Sequence, residues 1–167
     1  MLFHIIGSGA IGKRHAANLE SLGVRTSLIS WRSEFTNYSK SIFHEKPDYI
    51  LICTGTDIRL PLFKFCFEND IPFFVEKPVS FRIEDLDYLY SLPECFLSKC
   101  YAGFMQRYSP LVLYLLSLPL PSIHRCYFEF GHNVFKWRDN WDFSSSYAAS
   151  ALGGGVTLDL CHDIDLL

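Results

Sequence analysis

Apolar residues fall in short blocks set between polar and glycine-bearing turns, and the blocks alternate between two periodicities. Leu2–Ile6, Tyr49–Cys53 and Ile71–Val75 are largely apolar runs of strand length, and Val24–Ser30, after Gly23, reads as a further strand. Both faces of Tyr49–Cys53 are apolar, which predicts a parallel strand covered by helices on each side. Between them lie helical patterns. Ile11, Ala16, Leu19 and Leu22 fall on or near one face, Glu34–Glu45 forms a second helix, and Ile58–Asn69 a third. Lys46-Pro47-Asp48 breaks the second helix, and Gly23 ends the first. Ser80 is placed to cap a helix over Ile83–Ser91, with Glu84 and Asp85 in its first turn, and Pro93 stops it. Cys95 to Tyr101 reads as one more strand. Strand and helix in strict alternation predict an α/β fold with a doubly wound parallel sheet over residues 1–102.

From Gly103 the pattern changes. An apolar helix over Leu111–Leu118 is stopped by Pro119 and Pro121. Ile123–Phe130 mixes aromatics with His124, Arg125 and Glu129, as a strand of a half-exposed sheet does. Residues 131–146 show little periodicity and read as a loop. Gly153-Gly154-Gly155 then leads into a helical run, Val156–Leu167. Residues 103–167 are therefore expected to form a second unit.

The turn after the first strand carries the most specific chemistry. Gly7-Ser8-Gly9-Ala10-Ile11-Gly12 is a G-x-G-x-x-G motif placed between a predicted strand and a predicted helix. Gly7 permits the tight turn, Gly9 lets main chain approach a pyrophosphate, and Gly12 lets helix pack on strand. The first N–H groups of the helix, with its dipole, suit a phosphate. An ordinary strand–turn–helix is the alternative. The expected cofactor-facing set is Gly7, Gly9, Ala10, Ile11 and Gly12, then Thr54, Gly55 and Thr56 closing the third strand, and Glu76 and Lys77. At the end of the second strand, Ser30-Trp31-Arg32-Ser33 offers no carboxylate before Glu34. Arg32 beside hydroxyl residues suits a ribose 2′-phosphate, and Trp31 can stack on adenine or on Arg32, which leans the cofactor from NAD toward NADP. The alternative is a plain surface turn.

Composition narrows the class. With 49% apolar and 16% aromatic residues in 167, a sizeable core is within reach and disorder is not the default. A net charge of −3 with no basic run argues against nucleic acid or an anionic membrane as partner. Leu111–Leu120 is the longest apolar candidate and is too short and interrupted to span a bilayer. Six cysteines without paired C-x-x-C spacing, and no charged leader, read as reduced thiols in a cytoplasmic protein, so the sequon Asn37-Tyr38-Ser39 carries no weight.

Taken with His15, the glycine motif, Glu76-Lys77-Pro78, Gly103 to Pro110, and Gly153 to Asp165 resemble the Gfo/Idh/MocA oxidoreductases in family order. The resemblance implies a Rossmann-type first domain binding a nicotinamide cofactor. A sugar or polyol would sit between it and an α/β domain with an open sheet. Gly131-His132 through Trp137-Arg138, then Trp141-Asp142-Phe143 to Tyr147, resembles a branch acting on bacterial surface-polysaccharide sugars, which suggests a nucleotide-activated or acylated sugar. Arg107, Trp137, Arg138 and Tyr147 then become candidate substrate contacts; for Arg107 a bracing ion pair is an equal alternative.

Hydride transfer from a carbinol needs a base for the hydroxyl proton and a cation for the developing alkoxide. Lys77, at the carboxyl end of a strand, suits the cation, and a cis bond before Pro78 is expected to aim it inward. His162 suits the base, because imidazole titrates near neutrality. Asp159 lies three residues earlier, on the same face of the expected helix, and can orient it; the commoner family spacing is four. Asp163 and Asp165 are alternative carboxylates, one of them structural or solvated. Asp159, Cys161, His162 and Asp163 have metal-ligand side chains, but adjacent helical residues point apart and no metal is expected. His15 is expected to pack or to edge the cofactor.

Family members are usually about twice as long, so the second domain is expected to be incomplete. Leu118, Leu120, Phe128, Phe130 and the helix Val156–Leu167 should then expose apolar surface and favour association, with a homo-oligomer if that domain were whole. A truncated, non-catalytic remnant that binds only dinucleotide or a partner is the rival reading.

Overall fold

A computed structural model describes residues 1–31 and 45–119, and beyond them a discontinuous set dominated by 142–146, 149–151, 153–159 and 161–166. Two compact units result, Met1–Gly103 and Phe104–Leu167. The expected helix Glu34–Glu45 lies almost wholly outside the described residues, as does half of the expected strand Ile123–Phe130.

The first unit is built on five parallel strands: β1 (Leu2–Ile6), β2 (Arg25–Ile29), β3 (Tyr49–Ile52), β4 (Phe73–Val75) and β5 (Tyr101–Ala102). Their order in the sheet is β2-β1-β3-β4-β5. Helix α1 (Ala10–Ser21) follows β1, and α2 (Arg59–Glu68) follows β3 after a 3-10 turn over Thr56–Ile58. Helices α3 (Ile83–Tyr90) and α4 (Glu94–Leu97) join β4 to β5. Register places Ile5 beside Leu28 and Leu51, and Ile6 beside Ile29 and Ile52. Alternation across the strands therefore feeds two cores. Ile5, Leu51 and Ala16 pack on one side with Phe3, Leu19 and Phe74. Ile6, Ile50, Ile52, Leu62, Phe63, Phe73 and Phe96 pack on the other. Covering both faces is what makes the central strands β1, β3 and β4 largely apolar, whereas the edge strand β2 keeps an exposed Arg25.

Two expectations fail locally. Cys95 to Tyr101 is not one strand: Glu94–Leu97 is a helical turn and only Tyr101–Ala102 pairs with β4. Pro93 takes the N-cap position, Glu94 starts the turn, and Ser98 N–H returns to the Glu94 carbonyl at 2.8 Å. A short apolar run does not distinguish strand from buried helix, and proline with a first-turn acid decides for helix here. Ser80 is not the N-cap of α3; Arg82 is. The Ser80 hydroxyl instead accepts from the Arg82 N–H at 3.1 Å and donates to the buried Asp85 carboxylate at 2.6 Å. The loop is stapled to the first turn by another route.

His4 sits in β1 and is 5% exposed. Burial pushes its pKa below the ordinary 6.5, against a smaller opposing pull from Glu45. A depressed histidine pKa means that the unfolded chain binds the proton more readily. Stability is then full above the unfolded value and declines as pH falls from about 6.5 toward the folded value. Thermal melts of the unaltered chain should drop on acidification through this range, and His4→Leu should flatten that part of the profile.

The second unit holds a 3-10 turn (Met105–Tyr108), α5 (Pro110–Ser117), a 3-10 turn at Phe143–Ser145, α6 (Val156–Asp159) and α7 (His162–Leu166). Pro110 opens α5 at the position where its missing N–H costs nothing. Apolar exposure is concentrated on α5, where Leu111, Leu113, Tyr114, Leu115 and Leu116 are all exposed, with Ile164 on α7. Leu118 is half-buried, and Leu120, Phe128 and Phe130 lie outside the described residues. In place of the single helix expected over Val156–Leu167, the described residues form two short ones, with Cys161 in a turn before the second. Among the described residues, no helix is long and apolar enough to cross a membrane.

Candidate functional site

The strand order reverses direction between β1 and β3, and the carboxyl ends of those two strands define the site. Gly7 continues the ladder through its N–H to the Ile29 carbonyl at 2.9 Å. Cys53 does the same to Ile6 at 2.8 Å, and Glu76 to Ile52 at 3.0 Å. Three strand-end loops thus begin side by side. Gly7 has φ +116°, and a Cβ there would lie 2.5 Å from the Cys53 carbonyl oxygen. Only glycine can take that backbone against that neighbour. Gly12, buried in the first turn of α1, is as tightly held: a Cβ would stand 1.9 Å from the Gly7 carbonyl oxygen. The helix is therefore pressed onto the turn that precedes it.

Gly9 behaves differently. It is the N-cap of α1, exposed, and a Cβ there would meet no atom within 4 Å. No side chain caps the helix and its first turn contains no acid. The unit therefore presents uncapped N–H groups and open space at a twelve-residue helix, between strand ends at the switch point. A dinucleotide pyrophosphate fits this arrangement, because the N–H groups would otherwise lack protein partners and the field there is positive.

The neighbouring loops are anchored to this one. His15 Nε2, one turn into α1, lies 2.6 Å from Glu76 Oε1, and the His15 ring meets Phe74 edge-on at 5.4 Å. Glu76 is thus engaged by the helix that carries the glycine motif. Lys77 is half-buried in the following turn, and the Lys77–Pro78 peptide is cis, as the sequence suggested. Cys53, between Gly7 and the Thr54-Gly55-Thr56 turn, is driven up to about 12 by burial, reinforced by the Glu76 carboxylate and opposed by Arg59. Its thiol stays neutral at the site. Thr56 is buried, and Thr54 and Gly55 are half-buried. Gly103, after β5, closes the row: its N–H meets the Val75 carbonyl at 2.8 Å, and a Cβ would press on the Phe74 ring.

Arg59 is the residue that sequence reasoning missed. It is 3% exposed at the start of α2, and its guanidinium donates to four main-chain carbonyls. Nη2 reaches Thr54 at 2.7 Å, while Nη1 reaches Glu76 at 2.5 Å, Val79 at 3.3 Å, and Pro78. Nothing in the sequence marks it, because its partners are main-chain carbonyls.

In the second unit, Arg107 is committed to Asp165. Nε lies 2.9 and 3.0 Å from the two carboxylate oxygens and Nη2 2.5 Å from Oδ1. The hydrogen bonds and charge of Asp165 raise the Arg107 pKa, and the Asp165 side chain is 4% exposed. The geometry thus gives Arg107 an ion pair with Asp165, the more buried of the two partners. His162 begins α7, and its Nδ1 is buried without a hydrogen-bond partner among the described residues. Asp159 ends α6, so the expectation that it shares one continuous helix face with His162 does not hold. Cys161, in a turn, precedes His162. The Asp159 side chain, with Arg32, Trp137, Arg138 and Tyr147, lies outside the described residues. Trp31 is half-buried and packs against the larger core. No group of three or more metal-ligating side chains occurs among the described residues.

No protein-family model matches the sequence, and no curated protein matches it either. Solved structures do. A Gfo/Idh/MocA family oxidoreductase from Vibrio cholerae is 25% identical over 70% of this chain and 42% of its own, with a TM-score of 0.57. The fold of this chain is similar to that of the Gfo/Idh/MocA oxidoreductases. Scyllo-inositol dehydrogenase from Lactobacillus casei, solved with NAD(H) and scyllo-inositol, matches at 19% identity over 69% of this chain and 39% of its own, with a TM-score of 0.53. A UDP-N-acetylglucosamine 3-dehydrogenase from Acidithiobacillus ferrooxidans matches at 18% over 70% and 42%, with a TM-score of 0.55. The chain spans about two fifths of the length of each of these Gfo/Idh/MocA-type structures.

Proposed function

We propose that the first unit binds a nicotinamide dinucleotide at Gly7–Gly12, and that the chain serves an oxidoreductase acting on a sugar or polyol carbinol. The observation that carries the reading is the exposed, uncapped start of α1 at the switch point, with free space over Gly9. The solved relatives named above include enzymes whose substrates are an inositol and a UDP-sugar, which supports a carbinol substrate and, more finely, a nucleotide-activated sugar. When bound, the nicotinamide supplies two-electron chemistry by accepting or returning a hydride. Lys77 is given the role of cation beside the carbinol oxygen, where its ammonium offsets developing negative charge. His162 is given the hydroxyl proton, which its imidazole can take and return near neutral pH; Asp159 is given the task of orienting it. Glu76, held by His15, keeps the lysine turn against the cofactor helix.

NADP over NAD belongs to the same proposal and rests on Arg32 and the lack of a carboxylate before Glu34. The second reading, dinucleotide binding without turnover, is favoured by the exposed apolar face of α5. Tryptophan fluorescence titrations with NADH and NADPH, followed by turnover assays with inositols and UDP-sugars, test both. Tighter NADPH binding that is lost in Arg32→Ala supports the Arg32 role, and equal affinities remove it. Binding without turnover on any of these substrates selects the second reading.

A further inference from the structure

Arg59 spends a buried guanidinium on main-chain carbonyls of two different loops. Thr54 belongs to the turn that leaves β3, and Glu76, Pro78 and Val79 belong to the turn that leaves β4. Lys77 lies between two of the carbonyls that are held. Loops at strand carboxyl ends are ordinarily the softest part of an α/β unit, since their backbone has no ladder partner. Here the polar groups of both turns are gathered onto one planar, permanently charged group. A guanidinium suits this because its donors project from a rigid fork, so that one side chain reaches carbonyls on two sides. A lysine ammonium is a single point at the end of a flexible stem and cannot span both loops.

We propose that Arg59 is a positioning residue: it locks the Glu76–Val79 turn to the Thr54 turn and so sets where the Lys77 amine stands. This rests on the reading of Lys77 as the cation at the carbinol, and the test separates the two. Arg59→Lys keeps the charge and most of the volume but removes the fork. Hydrogen exchange, read by mass spectrometry on the full chain, should quicken about tenfold or more in peptides covering 53–57 and 76–80, the loss expected when charged-donor bonds are broken. Peptides covering 2–21 should be unchanged. Reductive methylation of Lys77, scaled to the exposed Lys64 and Lys99, should be slowed by NADH in the unaltered chain, and this protection should fall in the variant while ADP-ribose affinity is kept.

Uniformly faster exchange across the unit, or unchanged exchange at 76–80, would overturn the proposal. If NADH gives Lys77 no protection in the unaltered chain, the catalytic reading of Lys77 fails, and the exchange result still decides the role of Arg59. Should Arg59→Lys not fold, the unaltered chain decides by nuclear magnetic resonance. Restricted rotation of the Arg59 guanidinium, with separate slowly exchanging Nη protons, is the expected result; free rotation refutes the lock.

Discussion

Gly9→Ala should leave the fold and its stability unchanged and yet lose dinucleotide binding, whereas Gly12→Ala should damage both. The contrast follows from what each position faces. At Gly9 the backbone is extended (φ −72°, ψ −175°) and an added Cβ meets no atom within 4 Å. Alanine is therefore accommodated in the free protein, and its methyl competes only with a ligand brought to the uncapped helix. At Gly12 the added Cβ would lie 1.9 Å from the Gly7 carbonyl oxygen, and the obstacle is backbone, which cannot swing aside. Either α1 or the Gly7 turn must shift. Overpacking of this kind costs about 1–3 kcal/mol, and it moves the N–H groups that a phosphate would meet. Thermal melts and NADH titrations on the two variants check the pair. Loss of stability in Gly9→Ala, or retained binding in Gly12→Ala, would count against the loop as described.

The second large effect is on stability alone. Phe63 is fully buried in α2, its ring 5.2 Å from that of Phe73, within the core that joins β3, β4 and the helices on their shared face. Phe63→Ala should cost about 3–5 kcal/mol through lost burial and the cavity left behind. Small domains hold about 5–15 kcal/mol in total, so this one change removes a large share of the stability of the unit. Denaturant unfolding followed by far-ultraviolet circular dichroism should show the midpoint falling with little change in slope. A loss below about 1 kcal/mol would mean that the site collapses around the smaller side chain more completely than close packing allows.

Much of the first unit was legible because its signals are local and mutually consistent. The apolar runs at Leu2–Ile6 and Tyr49–Ile52 became neighbouring buried strands, and the glycine motif fell at their carboxyl ends. Errors arose where local signals compete. Phe96 and Leu97 are apolar in either a strand or a helical turn, and Pro93 with Glu94 decided between them. Ser80 looks like a cap by spacing, but Asp85 lies within reach of its hydroxyl and draws it away from that role. Arg59 could not have been read at all. Its partners are carbonyl oxygens, which every residue carries, and only the fold brings Thr54, Glu76 and Pro78 to one point. In the second unit, Arg107 pairs with Asp165, the kind of contact that the bracing alternative expected. The helix break between Asp159 and His162 escaped periodicity, because three-residue spacing reads the same whether or not the turns are joined.

The central claim is that the glycine loop holds a nicotinamide dinucleotide. It is tested most directly by titrating the folded chain with NADH and following energy transfer from its tryptophans to the reduced nicotinamide. Saturable binding that ADP-ribose displaces, and that disappears in Gly9→Ala without any change in melting temperature, is the predicted result. A folded chain that shows no saturable binding of NADH or NADPH, or one that binds equally well with alanine at position 9, would contradict it.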